Sequence, residues 1–186
     1  MLTINNEAPK FNLEAYHQDK ITRVNLDDLK GKWVALVFYP ADFTFVCPTE
    51  LGELADYYDE FKKLDAEVLV CSTDTVYVHK AWHDTSETIN KIQFPMLADP
   101  TGKTTRDYGV MIEDEGLAFR GSFLIDPDGV VKSFEVNEKP IGRSTAELIR
   151  KLQAAQFARK HGEVCPASWK PGNKTLKEGL DLVGKI

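Results

Sequence analysis

Within a dozen residues the chain gathers a thiol, a hydroxyl, a carboxylate and two prolines: Tyr39-Pro40-Ala41-Asp42-Phe43-Thr44-Phe45-Val46-Cys47-Pro48-Thr49-Glu50. A cysteine just ahead of a helix-opening proline lies among unpaired N–H groups, at the positive end of the helix dipole, where a thiolate is favoured over a thiol. An ordinary thiol is only about 3% ionised at pH 7, so complete ionisation gains at most about thirtyfold in nucleophile. A fast reaction needs more, namely donors aimed at the atoms being displaced. Thr44 supplies a hydroxyl three residues before the sulfur. Arg120 is the expected cation, because it opens the apolar run Phe119–Ile125, where an unpaired charge is costly. Pro40 is placed to shield the sulfur from water.

The other chemically suggestive residues have plainer readings. Cys71 ends an apolar run and reads as a small core residue. Cys165 precedes Pro166 in an irregular segment and reads as an accessible, easily moved thiol. His79 and His83 stand one helical turn apart, yet Lys80 sits where a zinc-protease helix needs glutamate and no third ligand is evident, so both are expected to be surface histidines. Gly102-Lys103-Thr104 lacks the first glycine of a phosphate loop, since position 97 is leucine. No metal and no cofactor is expected.

The elements that must position Cys47 follow from hydrophobic periodicity. Trp33–Tyr39 is continuously apolar and rich in β-branched residues, as in a central strand buried on both faces, and Pro40 stops it. From Pro48, apolar residues at Leu51, Leu54, Ala55, Tyr58, Phe61 and Leu64 predict one amphipathic helix. Glu67–Cys71 predicts a second buried strand, which completes a right-handed βαβ unit. A helix across 76–91, a strand at 94–98 and a turn at Asp99–Gly102 follow. Phe119–Ile125 and Val130–Val136 flank Asp126-Pro-Asp-Gly129, a hairpin signature. The last helix starts at Ser144, with Glu147 completing a capping box, and stops at Gly162. Two short strands, 11–15 and 21–25, precede the central one. This order predicts an α/β thioredoxin-like fold with an N-terminal extension, in a domain of 1–162 with a tail of 163–186.

The 186 residues, 42% hydrophobic and 28% charged, are enough for a core that needs no disulfide or metal to hold it. A formal charge of −6 argues against nucleic acid and anionic membrane surfaces. The N-terminus has neither a basic nor an apolar targeting region, and the longest apolar run is far short of a membrane span. Three widely spaced cysteines are unlike a secreted disulfide scaffold, so a reducing, cytoplasmic setting is expected.

The spacing Pro40-x-x-x-Thr44-x-x-Cys47 resembles the active-site signature of the peroxiredoxins. The longer string FYPADFTFVCPTEL is similar to the typical two-cysteine members, in their bacterial alkyl hydroperoxide reductase branch. The resemblance continues in Ser72-Thr-Asp74, His79-Lys-Ala-Trp-His83, Asp114–Ala118 with Arg120, and Val164-Cys165-Pro166. It implies that Cys47 is the peroxidatic and Cys165 the resolving cysteine, that Pro40, Thr44 and Arg120 surround the attacking sulfur, and that Glu50 orients the arginine. It further implies hydrogen peroxide and alkyl hydroperoxides as substrates, and an intersubunit disulfide in a homodimer that assembles to a decamer. The reductant would be a flavoprotein disulfide reductase using NADH, or thioredoxin. The rival reading, a thiol–disulfide oxidoreductase, needs a Cys-x-x-Cys pair, and position 50 is glutamate. A non-enzymatic holdase or peroxide-sensing role is the other alternative.

Overall fold

The computed structural model describes residues 2–185; Ile186, the last residue of the expected tail, lies outside the described residues. The chain runs β1 (Asn12–His17), β2 (Lys20–Asn25), β3 (Trp33–Phe38), α1 (Cys47–Asp56), α2 (Tyr58–Lys63), β4 (Ala66–Ser72), α3 (Val76–Thr85) and β5 (Met96–Ala98). Then come α4 (Lys103–Asp107), β6 (Met111–Ile112), β7 (Leu117–Ala118), β8 (Arg120–Ile125), β9 (Val131–Asn137) and α5 (Thr145–His161). Compact packing groups these residues into two units, one ending at Thr145 and the other beginning at Ala146.

In the first unit seven strands form one sheet in the order β2-β1-β5-β4-β3-β8-β9. Every residue of β3 is buried, as its unbroken apolar run requires of a strand covered on both faces. It pairs in parallel with β4 and antiparallel with β8, and β4 pairs in parallel with β5. The parallel βαβ unit and the β8–β9 hairpin around Asp126–Gly129 therefore stand as the sequence predicts. Phe38, Tyr108 and Phe123 meet pairwise with ring centroids 5.0–5.8 Å apart, edge-on or tilted, and fill one face of the sheet.

Several elements differ from the sequence reading. The helix expected from Pro48 onward is two helices broken at Tyr57, whose backbone leaves helical geometry (φ −95°, ψ 3°). The apolar spacing survives the break, so periodicity alone does not report it. The helix expected to run to residue 91 ends at Thr85, and a separate single turn spans Ile89–Lys91. The N-terminal strands form a hairpin whose β1 edge pairs antiparallel with β5, so the lead-in is part of the main sheet. The β1–β2 turn uses Gln18 and Asp19, both at positive φ (51° and 59°), without the glycine that usually announces it. The short α4 and the β6–β7 pair were not expected; each is too short to show a period.

The second unit holds α5 and the segment after it. Gly162, at φ 66°, ends the helix as a left-handed cap. The segment then folds on itself through an isolated antiparallel bridge between Val164 and Leu176. Trp169 is buried, packs its ring 4.9 Å from Phe157 of α5, and donates its indole N–H to the carbonyl of Asn173 at 3.1 Å.

Candidate active site

Cys47 is the first residue of α1 and Arg120 the first of β8. The β3–β8 register pairs Val37 with Ser122; two residues further on, it carries Arg120 level with Tyr39, where the chain leaves the sheet for α1. Ends of strands in α/β sheets are where such sites form. No side chain caps the first turn of α1; Pro48 has no N–H, the N–H groups of Thr49 and Glu50 donate to the Val46 carbonyl at 3.0 and 3.2 Å, and Cys47 stands at the positive end of the helix dipole.

The sulfur is fully buried, and Arg120 Nη1 approaches it to 3.5 Å. The same nitrogen donates to Glu50 Oε2 at 2.7 Å, and Arg120 Nε donates to the carbonyl of Lys139 at 2.6 Å. Among the described residues Nη2 has no hydrogen-bond partner, which leaves it as an unengaged donor of the guanidinium. Pro40 is buried. Thr44 is half-buried and donates its hydroxyl proton to the carbonyl of Ala41 at 2.8 Å, so its oxygen is left as an acceptor.

Arg143, which the sequence reading did not single out, completes the cluster. Its Nε and Nη2 grip the two oxygens of Glu50, each at 2.9 Å, and its backbone N–H donates to Oε1 at 2.8 Å. Its Nη1 donates to the carbonyl of Gly121 at 2.8 Å and to Ser122 Oγ at 3.1 Å. Burial alone would push the Glu50 carboxyl up, but the hydrogen bonds and charge of Arg143, with the charge of Arg120, hold it below the usual carboxylate range. Two buried guanidiniums share one carboxylate, which leaves one unit of positive charge. That charge lies beside the Cys47 sulfur, where a negative group would complete the balance. The available signal for Arg143 was a basic residue just ahead of a helix N-terminus, where the dipole disfavours it.

Cys71 is fully buried at the end of β4, and burial, with the negative charge of Asp99 adding, pushes its thiol well above the ordinary value. Its place in the core agrees with the expectation of a small core residue. Cys165 is half-buried; its thiol donates to the carbonyl of Ala154 at 3.7 Å, and burial pushes it up although Arg150 pulls it down. The surface placement expected for His79 and His83 is wrong. His79 is fully buried, with Nδ1 2.7 Å from Asp42 Oδ2 and Nε2 3.1 Å from the carbonyl of Leu97. His83 is largely covered too, against Tyr16 at 3.2 Å and the carbonyl of Ile92 at 3.3 Å. Both sit on the face that α3 turns to the sheet, and a period of four residues fits a buried stripe as well as an exposed one.

The family described as AhpC/TSA matches residues 4–134, and that described as the C-terminal domain of 1-Cys peroxiredoxin matches residues 154–181. Alkyl hydroperoxide reductase C of Escherichia coli strain K12 is 50% identical over 187 residues, covering all of both chains. The protein of that name from Staphylococcus haemolyticus is 52% identical over 189 residues, again covering both completely. Among solved structures, Enterococcus faecalis AhpC matches with a TM-score of 0.86 at 50% identity, over 89% of this chain and 100% of that one. The reduced 2-Cys peroxiredoxin of Plasmodium vivax matches with a TM-score of 0.93 at 38% identity, over 96% and 94%.

Proposed function

This chain belongs to the AhpC/TSA family of peroxiredoxins, and from that premise we propose that Cys47 is its peroxidatic and Cys165 its resolving cysteine. It is a thiol-dependent peroxidase that reduces hydroperoxides, an antioxidant activity. In the proposed cycle the Cys47 thiolate attacks one oxygen of the peroxide, the O–O bond breaks, and the sulfur becomes a sulfenic acid while the other oxygen leaves as hydroxide or alkoxide and takes a proton. Arg120 Nη2 donates to the departing oxygen, the Thr44 oxygen accepts from the peroxide hydroxyl, and Pro40 keeps water off the sulfur. Glu50, held by Arg143, orients Arg120. Cys165 then attacks the sulfenic sulfur, a disulfide forms and water leaves. The observation that carries this reading is the 3.5 Å approach of Arg120 to the Cys47 sulfur inside a charge cluster short of one negative charge.

The domain of 1–162 carries the attack and the tail of 163–186 the resolution. The disulfide joins two subunits of a homodimer, hydrogen peroxide and alkyl hydroperoxides are the substrates, and an NADH-dependent flavoprotein reductase of the AhpF type, or thioredoxin, restores the thiols in the cytoplasm. Dimers assemble to a decamer. The exposure of Phe43 and Phe45 (56% and 92%), aromatic surface on the Cys47 loop, supports that assembly. No helix among the described residues is long and apolar enough to cross a membrane. The test is anaerobic stopped-flow with hydrogen peroxide and cumene hydroperoxide, followed by non-reducing electrophoresis. Rapid loss of one thiol pair and a reducible dimer band are expected. A monomer carrying an internal Cys47–Cys165 bond would overturn the intersubunit step, and peroxide consumption independent of Cys47 would overturn the site.

A further inference from the structure

Behind the Cys47 loop lies a second buried polar cluster that the reaction does not use. Asp42, two residues before Thr44, points its carboxylate inward with no exposure. It accepts from the Tyr39 phenol at 2.6 Å and from His79 at 2.7 Å, on α3 thirty-seven residues away. Its backbone N–H donates to Asp74 Oδ2 at 2.9 Å, and Ser72 holds the same oxygen at 2.7 Å. Tyr39 and Phe43 both pack against Trp82, with centroids 6.2 and 6.0 Å apart.

The hydrogen-bond pattern ties this cluster to the seated loop. The Leu97 carbonyl can only accept, so His79 Nε2 is the donor there, while Nδ1 faces Asp42 Oδ2 at 2.7 Å and the Tyr39 hydroxyl at 3.4 Å. Burial, with the charge of Asp42, pushes the Tyr39 phenol well above its ordinary value and keeps it a donor. All of these partners are satisfied only while the loop is seated. Lifting it takes from the buried phenol its 2.6 Å acceptor and from His79 Nδ1 its 2.7 Å partner, and leaves the two only their longer mutual contact of 3.4 Å, a costly exchange for buried polar groups.

We propose that Asp42, His79 and Tyr39 form a positioning latch for the loop that carries Pro40 and Thr44, and so set the fraction of reduced protein that holds Cys47 ready for peroxide. The proposal rests on the peroxidase reading above. Attack scales with the seated fraction, whereas disulfide formation, which requires Cys47 to leave its pocket, scales with the opened fraction. Loosening the latch therefore moves the two rates in opposite directions.

The test uses the full chain with Tyr39→Phe, Asp42→Ala and the near-isosteric Asp42→Asn. Amide hydrogen exchange of residues 41–47 in the reduced protein reports opening without any peroxide. Tyr39→Phe removes one hydrogen bond to a charged group, and about tenfold faster exchange there is expected, with β3, β4 and β8 unchanged. Stopped-flow should then show disulfide formation faster by up to about the same factor and peroxide attack slower, most strongly in Asp42→Ala, with Asp42→Asn close to wild type. Exchange unchanged in Tyr39→Phe, or raised equally across the sheet, would overturn the latch. So would attack and disulfide formation slowing together. If the wild-type protein fails to consume peroxide through Cys47, the peroxidase reading falls, and the exchange result alone decides whether the latch stands.

Discussion

Two sulfurs of this chain sit in opposite physical settings. Cys47 is sealed at a helix start, with a guanidinium in contact and a helix dipole behind it. Cys165 lies after a capped helix in a segment with one isolated β-bridge, and its thiol faces a helix carbonyl, a partner that favours the protonated form. The first is held in one geometry beside a fixed positive charge; the second is held as a thiol by little structure. A rigid site stabilises a transition state, and a weakly held one can travel to its partner, since a disulfide needs Cα atoms within about 7 Å. The two sulfurs thus differ in packing as much as in chemistry.

The contrast breaks most sharply if the two sulfurs are exchanged in role. Cys47→Ser is expected to reduce peroxide consumption by on the order of a thousandfold or more, as loss of a nucleophile does. Cys165→Ser is expected to consume one equivalent at the normal initial rate and to stop as a sulfenic acid, trapped by dimedone and read by mass spectrometry. Repeated turnover by Cys47→Ser, or a slow first equivalent in Cys165→Ser, would erase the distinction.

Arg120→Leu tests what makes the Cys47 setting special. The leucine leaves Glu50 paired with Arg143, so the fold should survive. Removing a preorganised donor beside the reacting atoms is expected to slow the peroxide step by about a hundredfold to a thousandfold in stopped-flow. Disulfide formation from a preformed sulfenic acid should change far less, because in the proposed cycle it follows the departure of Cys47 from the pocket.

These predictions rest on parts of the molecule that were unequally legible from sequence. Cys47, Pro48, Thr44 and Pro40 lie within nine positions, and the roles proposed for them rest on helix-start chemistry and spacing. Arg120 was legible because a charge at the head of an apolar strand needs a reason. Arg143 was not, since it meets Glu50 across 93 residues of chain and nothing local signals the pairing. His79 was misread for the same kind of cause: its partner Asp42 is brought to it by the tertiary fold, and only that partner makes a buried histidine affordable. The βαβ core and the β8–β9 hairpin were legible from apolar runs and turn residues, whereas the break at Tyr57 and the two-residue strands carry no periodic signal.

Acid should separate the two regions as well. Glu50 is held below the ordinary carboxylate value of 4.5 in the folded protein. Its contribution to stability is thus fully present above that value and is lost as pH falls through the lower folded value. Urea midpoints of wild type and Glu50→Gln are expected to differ most near pH 6 and to converge toward pH 3. Cys165→Ser should show the wild-type pH dependence throughout, because its thiol does not titrate in that range.

The smallest effect concerns the electrostatics of the weakly held sulfur itself. Burial raises the Cys165 thiol above its ordinary 9.0, Arg150 opposes that, and Glu163 adds to it. Arg150 also chelates Glu147 through Nε and Nη2, at 2.6 and 2.8 Å, and donates to the Trp169 carbonyl at 3.2 Å, so it contributes both charge and attachment. The two contributions predict opposite outcomes for Arg150→Met. If charge dominates, the thiol rises further and iodoacetamide alkylation of Cys165 at pH 8, in a Cys47→Ser background, slows by about two- to threefold, the scale of one solvent-exposed charge. If attachment dominates, the Trp169 segment loosens and alkylation quickens. We expect slowing, because Trp169 keeps its ring contact with Phe157 and its bond to Asn173 when the arginine is gone. Faster alkylation would mean that Cys165 is held by Arg150 itself, and that the tail opens by releasing one side chain rather than by unfolding as a segment.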